Sequence, residues 1–369
     1  LIRYKYDSFF AEAWNSLAAN CSLPLLAVTH HALPLGISFF VFHCISYLVD
    51  IHRGRAQAQN DPVKMALYIA LFPQLIAGPI IRFSQICDQF VARSFSSEKF
   101  ALGVRRFIIG LGKKLILANS FAVPADAIFA LDQKFLSPDL AWLGAIAYAL
   151  QLYFDFSGYT DMAIGLGHMF GFTFPENFNY PYISQSVQDF WKRWHMTLSG
   201  WFRDYVYIPL GGNQRGQART AINLFIVFLL CGLWHGANWT FVFWGLYHGF
   251  FLSIERLGLG RRLNMIPQPF RAETLDKALG HLNAMWAFQP AAGSAPELSR
   301  FLTAEFSFLF VLGAIACTPF LRYCSRLTNQ TASPTFSKMG EAALLISVLC
   351  LAIAEVSACS YSPFIYFHF

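Results

Sequence analysis

Apolar residues gather into long blocks along this chain, at 33–50, 63–80, 101–130, 138–158, 220–234, 237–254, 301–322 and 340–358. Each block approaches the roughly 20 positions that a membrane-crossing helix needs. The pattern predicts an all-α polytopic membrane protein. Two blocks depart from a plain span. The stretch "LFPQLIAGPIIRF" (71–83) contains Pro73, Gly78 and Pro79, which remove donors or loosen a helix, so it is predicted to be broken or re-entrant. The stretch "LQLYFDFSGYTDMAIGLGHMFGF" (150–172) sets Asp155, Ser157, Thr160, Asp161 and His168 in an apolar frame. Such residues are predicted to face the protein interior rather than lipid.

Between about 173 and 219 the hydropathy falls. Phe190, Trp194, Leu198, Trp201 and Tyr205 recur there at steps of three and four, the spacing of one helical face, while Lys192, Arg193 and Arg203 fall elsewhere on the wheel. This predicts an amphipathic helix lying in the interface or dipping into the protein, stopped near Pro209 and the Gly211–Gly212 pair. A polar region at about 255–300 reads as an extramembrane loop with a short helix over Thr274–Trp286. With neither an internal repeat nor a linker, the expectation is a single integral-membrane domain over 1–369.

Composition strengthens the membrane reading. Hydrophobic residues make up 56% of the chain and charged ones 13%, against about 25% charged in an ordinary soluble domain. The net charge of +6 comes from groups such as Arg53/Arg55, Arg105/Arg106, Lys113/Lys114, Arg215/Arg219 and Arg256/Arg261/Arg262. Grouped near the ends of apolar runs, these read as topology determinants at a cytoplasmic face, not as a nucleic-acid surface. The eight cysteines show neither a CxxC pair nor a Cys/His metal spacing, so neither a disulfide framework nor a metal site is expected. The chain opens at Leu1 without a signal-peptide pattern and is expected to lack an N-terminal part.

The candidate chemistry centres on His195 in "WKRWHMTLSGWFRD" and His235 in "GLWHGANW". A neutral imidazole takes a proton from an alcohol or thiol at physiological pH, and acyl transfer from a thioester to a hydroxyl needs such a base plus donors for the oxyanion. The alternative is that each is an interior histidine bonded to a backbone carbonyl. The residues alone leave both readings open. Asp155 and Asp161 either line a polar path and orient a histidine or pair structurally. Lys192, Arg193 and Arg203 either contact an anionic donor or anchor the interface by snorkelling. Asn238, with the Trp239 N–H, is a candidate oxyanion donor. For His43 and His52, the alternative being a place near a membrane interface, and for His248 with Tyr247, the alternative being a cavity lining, structural roles are expected.

These blocks resemble the membrane-bound O-acyltransferase family, and within it the bacterial alginate O-acetyltransferase branch. The resemblance rests on "LPLGISFFVFHCISYLVDIHRG" (33–54), "LFPQLIAGPIIRF" (71–83), "YFDFSGYTDMAIGLGHMFGFTFPENFNYPY" (153–182), "FWKRWHMTLSGWFRDYVYIPLGG" (190–212), "GLWHGANWTFVFWGLYHG" (232–249) and "YSPFIYFHF" (361–369). It covers most of the chain in family order, with a motif core at 153–249. The resemblance implies a multi-helix bundle around a central tunnel in the bacterial inner membrane, passing acetyl groups from a cytoplasmic donor toward an acceptor outside. Acetyl-CoA is the implied donor, with no resident cofactor. The implied partner is a periplasmic relay protein with a serine nucleophile, and the implied acceptor is an exported polysaccharide, alginate first and cellulose or peptidoglycan as alternatives. The family's functional histidines carry over to His195 and His235. The resemblance also implies further hydrophobic segments ahead of "RYKYDSFF"; it implies one ahead of "FRAETLDKAL" too, but there the sequence departs from it, because "RRLNMIPQPFRAETLDKAL" leaves no room for a span. Two other classes stay open on the residues: a transporter or channel with a proton path, which inverted repeats would favour, and a noncatalytic secretion scaffold.

Overall fold

The computed structural model describes residues 1–32, 34, 36–256, 275–286, 297–331 and 334–358. The closing block 361–369 and most of the polar region at 255–300 lie outside the described residues. In chain order the principal helices are α1 (Asp7–Cys21), α2 (Ile37–His52), α3 (Pro62–Ala70), α4 (Ser97–Phe129), α5 (Pro138–Met169), α6 (Val187–Trp191) and α7 (Met196–Phe202). They continue with α8 (Gly216–His235), α9 (Trp239–Ile254), α10 (Leu275–Trp286), α11 (Ala304–Ala316), α12 (Phe320–Thr331) and α13 (Pro334–Ser357). Among the described residues there is no strand.

The predicted apolar blocks fall largely on helix, with 76–80 outside it, and among the described residues only α4, α8 and Ser337–Ser357 of α13 are long and apolar enough to cross a bilayer. Helices α2 and α9 have 16 residues each and α11 has 13. At 1.5 Å per residue such helices reach about 20–24 Å, short of the roughly 30 Å hydrocarbon core. Many apolar side chains on α13 are open, including Leu344, Leu351 and Val356 at 64%, 57% and 63% exposure. Lipid tails are the solvent that accepts such a surface without penalty. The short helix expected at Thr274–Trp286 is α10.

Contacts group the chain into two compact units, one of 1–92 with the described part of 200–260, the other of 93–199 with the described part of 261–368. In the first unit the aromatic side chains set the packing. Phe42 on α2 stacks on Trp201 at 4.1 Å and on Trp234 at 5.4 Å between ring centroids. Both indole N–H groups donate to α2 carbonyls, Trp201 to Phe42 and Trp234 to Ser38. Helices α8 and α9 form a hairpin whose close approach excludes any side chain at Gly232 and Gly245. A Cβ at either would lie 2.3 Å from a backbone oxygen of the facing helix.

The segment 71–83 in the same unit is broken, as Pro73, Gly78 and Pro79 predict. A single turn at Phe72–Leu75 gives way to bends over 76–78, where Gly78 has φ +105°. Irregular backbone at membrane depth survives only inside protein, and Gln74, Ala77, Ile80 and Ile81 are all buried. Tyr68 Oη donates to the Ile81 carbonyl at 3.0 Å, and Gln74 Nε2 donates to the Tyr68 carbonyl at 3.3 Å. These bonds replace those a continuous helix would make.

In the second unit α4 and α5 run antiparallel as an alternating ladder of glycine contacts and ion pairs. Gly103 faces Gly165 and Gly110 faces Gly158, each so close that an added Cβ would sit 2.6–2.7 Å from the opposite carbonyl oxygen. The seven-residue spacing on each helix is two turns, which keeps both glycine pairs on one seam. Between and beyond them, Arg106 and Lys113 reach Asp161 at 2.9 and 2.6 Å, and Lys114 reaches Asp155 at 2.5 Å. Arg106, Lys113 and Lys114 are therefore interior partners of the α5 carboxylates, not the free topology determinants their clustering suggests. Gly158→Val is expected to destabilise the protein by about 1–3 kcal/mol, because the obstacle is backbone and cannot swing aside. Thermal unfolding of the detergent-solubilised variant reads this, and an unchanged midpoint would show that the seam has slack.

Candidate active site

His195 sits where the predicted amphipathic helix breaks. Instead of one helix across 188–209, the chain forms α6, a turn at 192–195 and then α7. Phe190, Trp194, Leu198 and Trp201 are buried as their spacing predicts, though not on a single straight cylinder. The break lies at His195 itself, whose φ of +43° places a non-glycine residue in the left-handed region. That conformation costs about 1–2 kcal/mol and persists where surrounding contacts impose it.

Those contacts come from the segment that precedes α6. The backbone of Asn177 accepts from Met196 N–H at 2.9 Å, and Asn179 N–H donates to the Arg193 carbonyl at 2.9 Å. Asn177 Oδ1 lies 3.1 Å from His195 Nδ1 and also accepts from the Thr197 N–H and hydroxyl at 3.2 and 2.8 Å. The Phe156 ring on α5 meets the imidazole edge to face at 4.7 Å. His195 is 1% exposed and Asn177 0%. Glu176, next to Asn177, is held by Arg106, which also binds Asp161. The α4–α5 ladder thus fixes the strand of backbone that fixes His195.

His235 ends α8 in the first unit and is half-buried. Its ring lies 4.8 Å from Trp234 and 5.1 Å from Trp244. The carbonyls that close α8 are taken by the amino-terminal segment: Lys5 Nζ donates to His235 O at 3.2 Å and also to Trp234 O, and Tyr6 Oη donates to Leu233 O at 2.8 Å. A cation at a helix C-terminus also meets its partial negative charge. His195 and His235 belong to different units, and each is described within its own.

The family description "MBOAT, membrane-bound O-acyltransferase family" matches residues 35–289. The chain belongs to the membrane-bound O-acyltransferase family. It is 42% identical over 397 residues to a probable alginate O-acetylase AlgI of Pseudomonas putida, covering 99% of this chain and 81% of that protein. It is 41% identical over 412 residues to the protein of the same name from Azotobacter vinelandii, covering 99% and 82%. It is also 35% identical over 427 residues to a peptidoglycan O-acetyltransferase of Helicobacter pylori, covering 99% and 79%. This membrane-bound O-acyltransferase is accordingly an enzyme of acyl transfer in a multi-pass membrane protein.

The other sequence candidates fall in varied settings. Asp155 and Asp161 carry the cation partners described above. Arg193 Nε donates to Asp189 at 3.0 Å and its terminal nitrogen to the Asn179 carbonyl at 3.3 Å. Arg203 is largely exposed and binds Asp204 at 2.7 Å, while Lys192 is exposed. Asn238 is exposed and caps α9, its Oδ1 accepting from Thr240 N–H at 3.0 Å. His43 and His248 are buried and His52 is exposed.

Sequence reasoning missed two features. Asn177 was hidden in "TFPENFNYPY", where nothing in the spacing separates it from the other asparagines. Asp204 is the hub of an arginine cluster: Arg82 and Arg203 bind its carboxylate, at 2.5 and 2.7 Å, and Arg53 binds its carbonyl. Burial alone would raise the Asp204 carboxyl, but the Arg203 and Arg82 guanidinium groups outweigh it and hold the carboxyl below the usual carboxylate range. Tyr205, with both Arg53 and Arg82 over its ring, donates to Asp50 at 2.8 Å. This cluster ties the 71–83 break and α2 to the segment after α7.

Proposed function

We propose that this O-acyltransferase moves acetyl groups from a cytoplasmic thioester, acetyl-CoA, toward an exported polysaccharide, with alginate as the acceptor. The reading places it in the bacterial inner membrane beside a periplasmic relay protein whose serine carries the acetyl group onward. What supports the acceptor is the similarity to alginate O-acetylases across nearly the whole chain. What carries the chemistry is the placement of His195, a buried imidazole imposed on strained backbone by a dedicated hydrogen-bonding partner.

In this reading His195 accepts the proton of the attacking hydroxyl, whether that of the relay serine or of the sugar. The hydroxyl oxygen bonds to the acetyl carbon, the carbon–sulfur bond breaks, and the proton passes to the departing thiolate to give free CoA. His235 assists from the end of α8. Lys192, Arg193 and Arg203 attract the anionic donor, and Asp155, Asp161 and Asn238 border the path between donor and acceptor.

The test is the acetyl content of exported polymers in a host lacking this gene, with and without the gene restored. Acetylation of a uronic-acid polymer that disappears and returns identifies alginate. The same behaviour on a glucan or on peptidoglycan moves the acceptor to cellulose or to the cell wall. Acetylation unchanged on every exported polymer overturns the reading and returns the transport and scaffold classes.

A further inference from the structure

The hydrogen bonds around Asn177 decide which nitrogen of His195 is basic. The Thr197 backbone N–H can only donate, and it points at Asn177 Oδ1 from 3.2 Å. Were the amide turned over, its NH2 would face that N–H donor to donor. The other end of the amide agrees, since Nδ2 lies 3.4 Å from Thr160 Oγ1, a hydroxyl free to accept. The orientation of Asn177 is thus fixed by partners other than His195. Its Oδ1 is an acceptor without a proton of its own, so the His195 nitrogen 3.1 Å away must be the one that carries hydrogen.

We propose that Asn177 is a positioning residue that locks His195 in the tautomer protonated at Nδ1 and so leaves Nε2 as the basic nitrogen. This rests on the reading of His195 as the proton acceptor. In the neutral ring one nitrogen donates and the other accepts, so fixing Nδ1–H assigns the lone pair to Nε2. Three bonds to Asn177 hold the backbone beside the ring, its carbonyl accepting from Met196 N–H and its Oδ1 from the Thr197 N–H and hydroxyl, while the bond to Nδ1 orients the ring itself. Asn177 in turn is anchored at both ends: by Thr160 on α5 through its side chain, and by Glu176, its neighbour, through Arg106 on α4. A shift in the α4–α5 ladder would reach the imidazole through Asn177 as well as through the Phe156 ring.

The charged groups near His195 are paired. On α4 and α5 they are Lys114 with Asp155 and Arg106 and Lys113 with Asp161; before the site, Glu176 with Arg106; on α6 and its exit, Asp189 with Arg193. Each carboxylate faces a cation. A new carboxylate at position 177 would therefore be a distinct perturbation at the ring.

The experiment measures transfer from radiolabelled acetyl-CoA into polymer by membranes of the producing host carrying the full chain, normalised to folded protein. Asn177→Leu is expected to lower kcat about 100-fold with KM for acetyl-CoA roughly unchanged, the loss that follows when a reacting group is misplaced by about an ångström. Asn177→Asp keeps an acceptor for every donor and is expected to recover most of that loss. Its acidic limb should move to higher pH, because a carboxylate in contact with the ring favours imidazolium. Should Asn177→Leu fail to fold, the profile of Asn177→Asp decides alone. Parental kcat in Asn177→Leu, or an unmoved limb in Asn177→Asp, overturns the inference. His195→Ala measured in parallel separates the two levels. An active His195→Ala removes the reading beneath, whereas an inactive one beside a fully active Asn177→Leu removes only the positioning role.

Discussion

Replacing His195 by alanine is expected to lower acetyl transfer by about 10²–10⁴-fold, the usual contribution of a positioned general base. On the proposed reading the loss should fall on kcat, since a general base acts in the transition state. Backbone strain offers an internal control. His195 has φ +43°, so His195→Ala keeps the left-handed strain while His195→Gly relieves it. His195→Gly should therefore be as inactive as His195→Ala and unfold at a higher temperature, by about 1 kcal/mol of stability. Two variants with equal loss of transfer and opposite backbone cost cannot both be explained by misfolding. Parental turnover in either would remove His195 from the chemistry.

That control was invisible in the sequence. The aromatic spacing from Phe190 to Tyr205 reports a buried face correctly, and Phe190, Trp194, Leu198 and Trp201 are indeed buried. Periodicity, though, cannot register a one-residue excursion into the left-handed region, because the turns on either side keep almost the same phase. The break at 71–83 was legible, since proline and glycine act on the backbone locally and need no partner to do so. The α4–α5 ladder was half legible. The buried polar positions Asp155, Ser157 and Thr160 follow from the cost of exposing them to lipid, and all three are 2% exposed. Their partners do not follow. Arg106, Lys113 and Lys114 sit in an apolar run that reads equally well as a membrane-edge cluster, and only the antiparallel pairing of the two helices brings them to the carboxylates.

The same logic explains why Asn177 escaped notice while His195 did not. A histidine among tryptophans is flagged as a candidate by residue type. Asn177 acquires its role only when a loop, two helices and a turn converge, through one carbonyl oxygen that accepts from His195 and Thr197 together. Residue type flags the group that reacts; the group that aims it is set by tertiary placement.

The Lys114–Asp155 pair is expected to give the largest effect on stability. Both side chains are almost fully buried, at 7% and 3% exposure, and their charged atoms are 2.5 Å apart. Removing one partner from a buried ion pair leaves an uncompensated charge, so Asp155→Leu should destabilise the protein by about 3–5 kcal/mol. Replacing both by apolar residues of similar volume removes the charge problem altogether, and Lys114→Met with Asp155→Leu should recover to within about 1 kcal/mol of the parent. The non-additivity of the two changes, read from thermal or denaturant unfolding in one detergent, measures the pair directly. Acetyl transfer should track the folded fraction: lost in the single variant, regained in the double. A double variant that folds like the parent but transfers nothing would instead show that the Asp155 carboxylate itself, and not only its place beside the path, is needed for transfer. The ladder beside His195 would then carry a second function besides holding Glu176 and Asn177 in place.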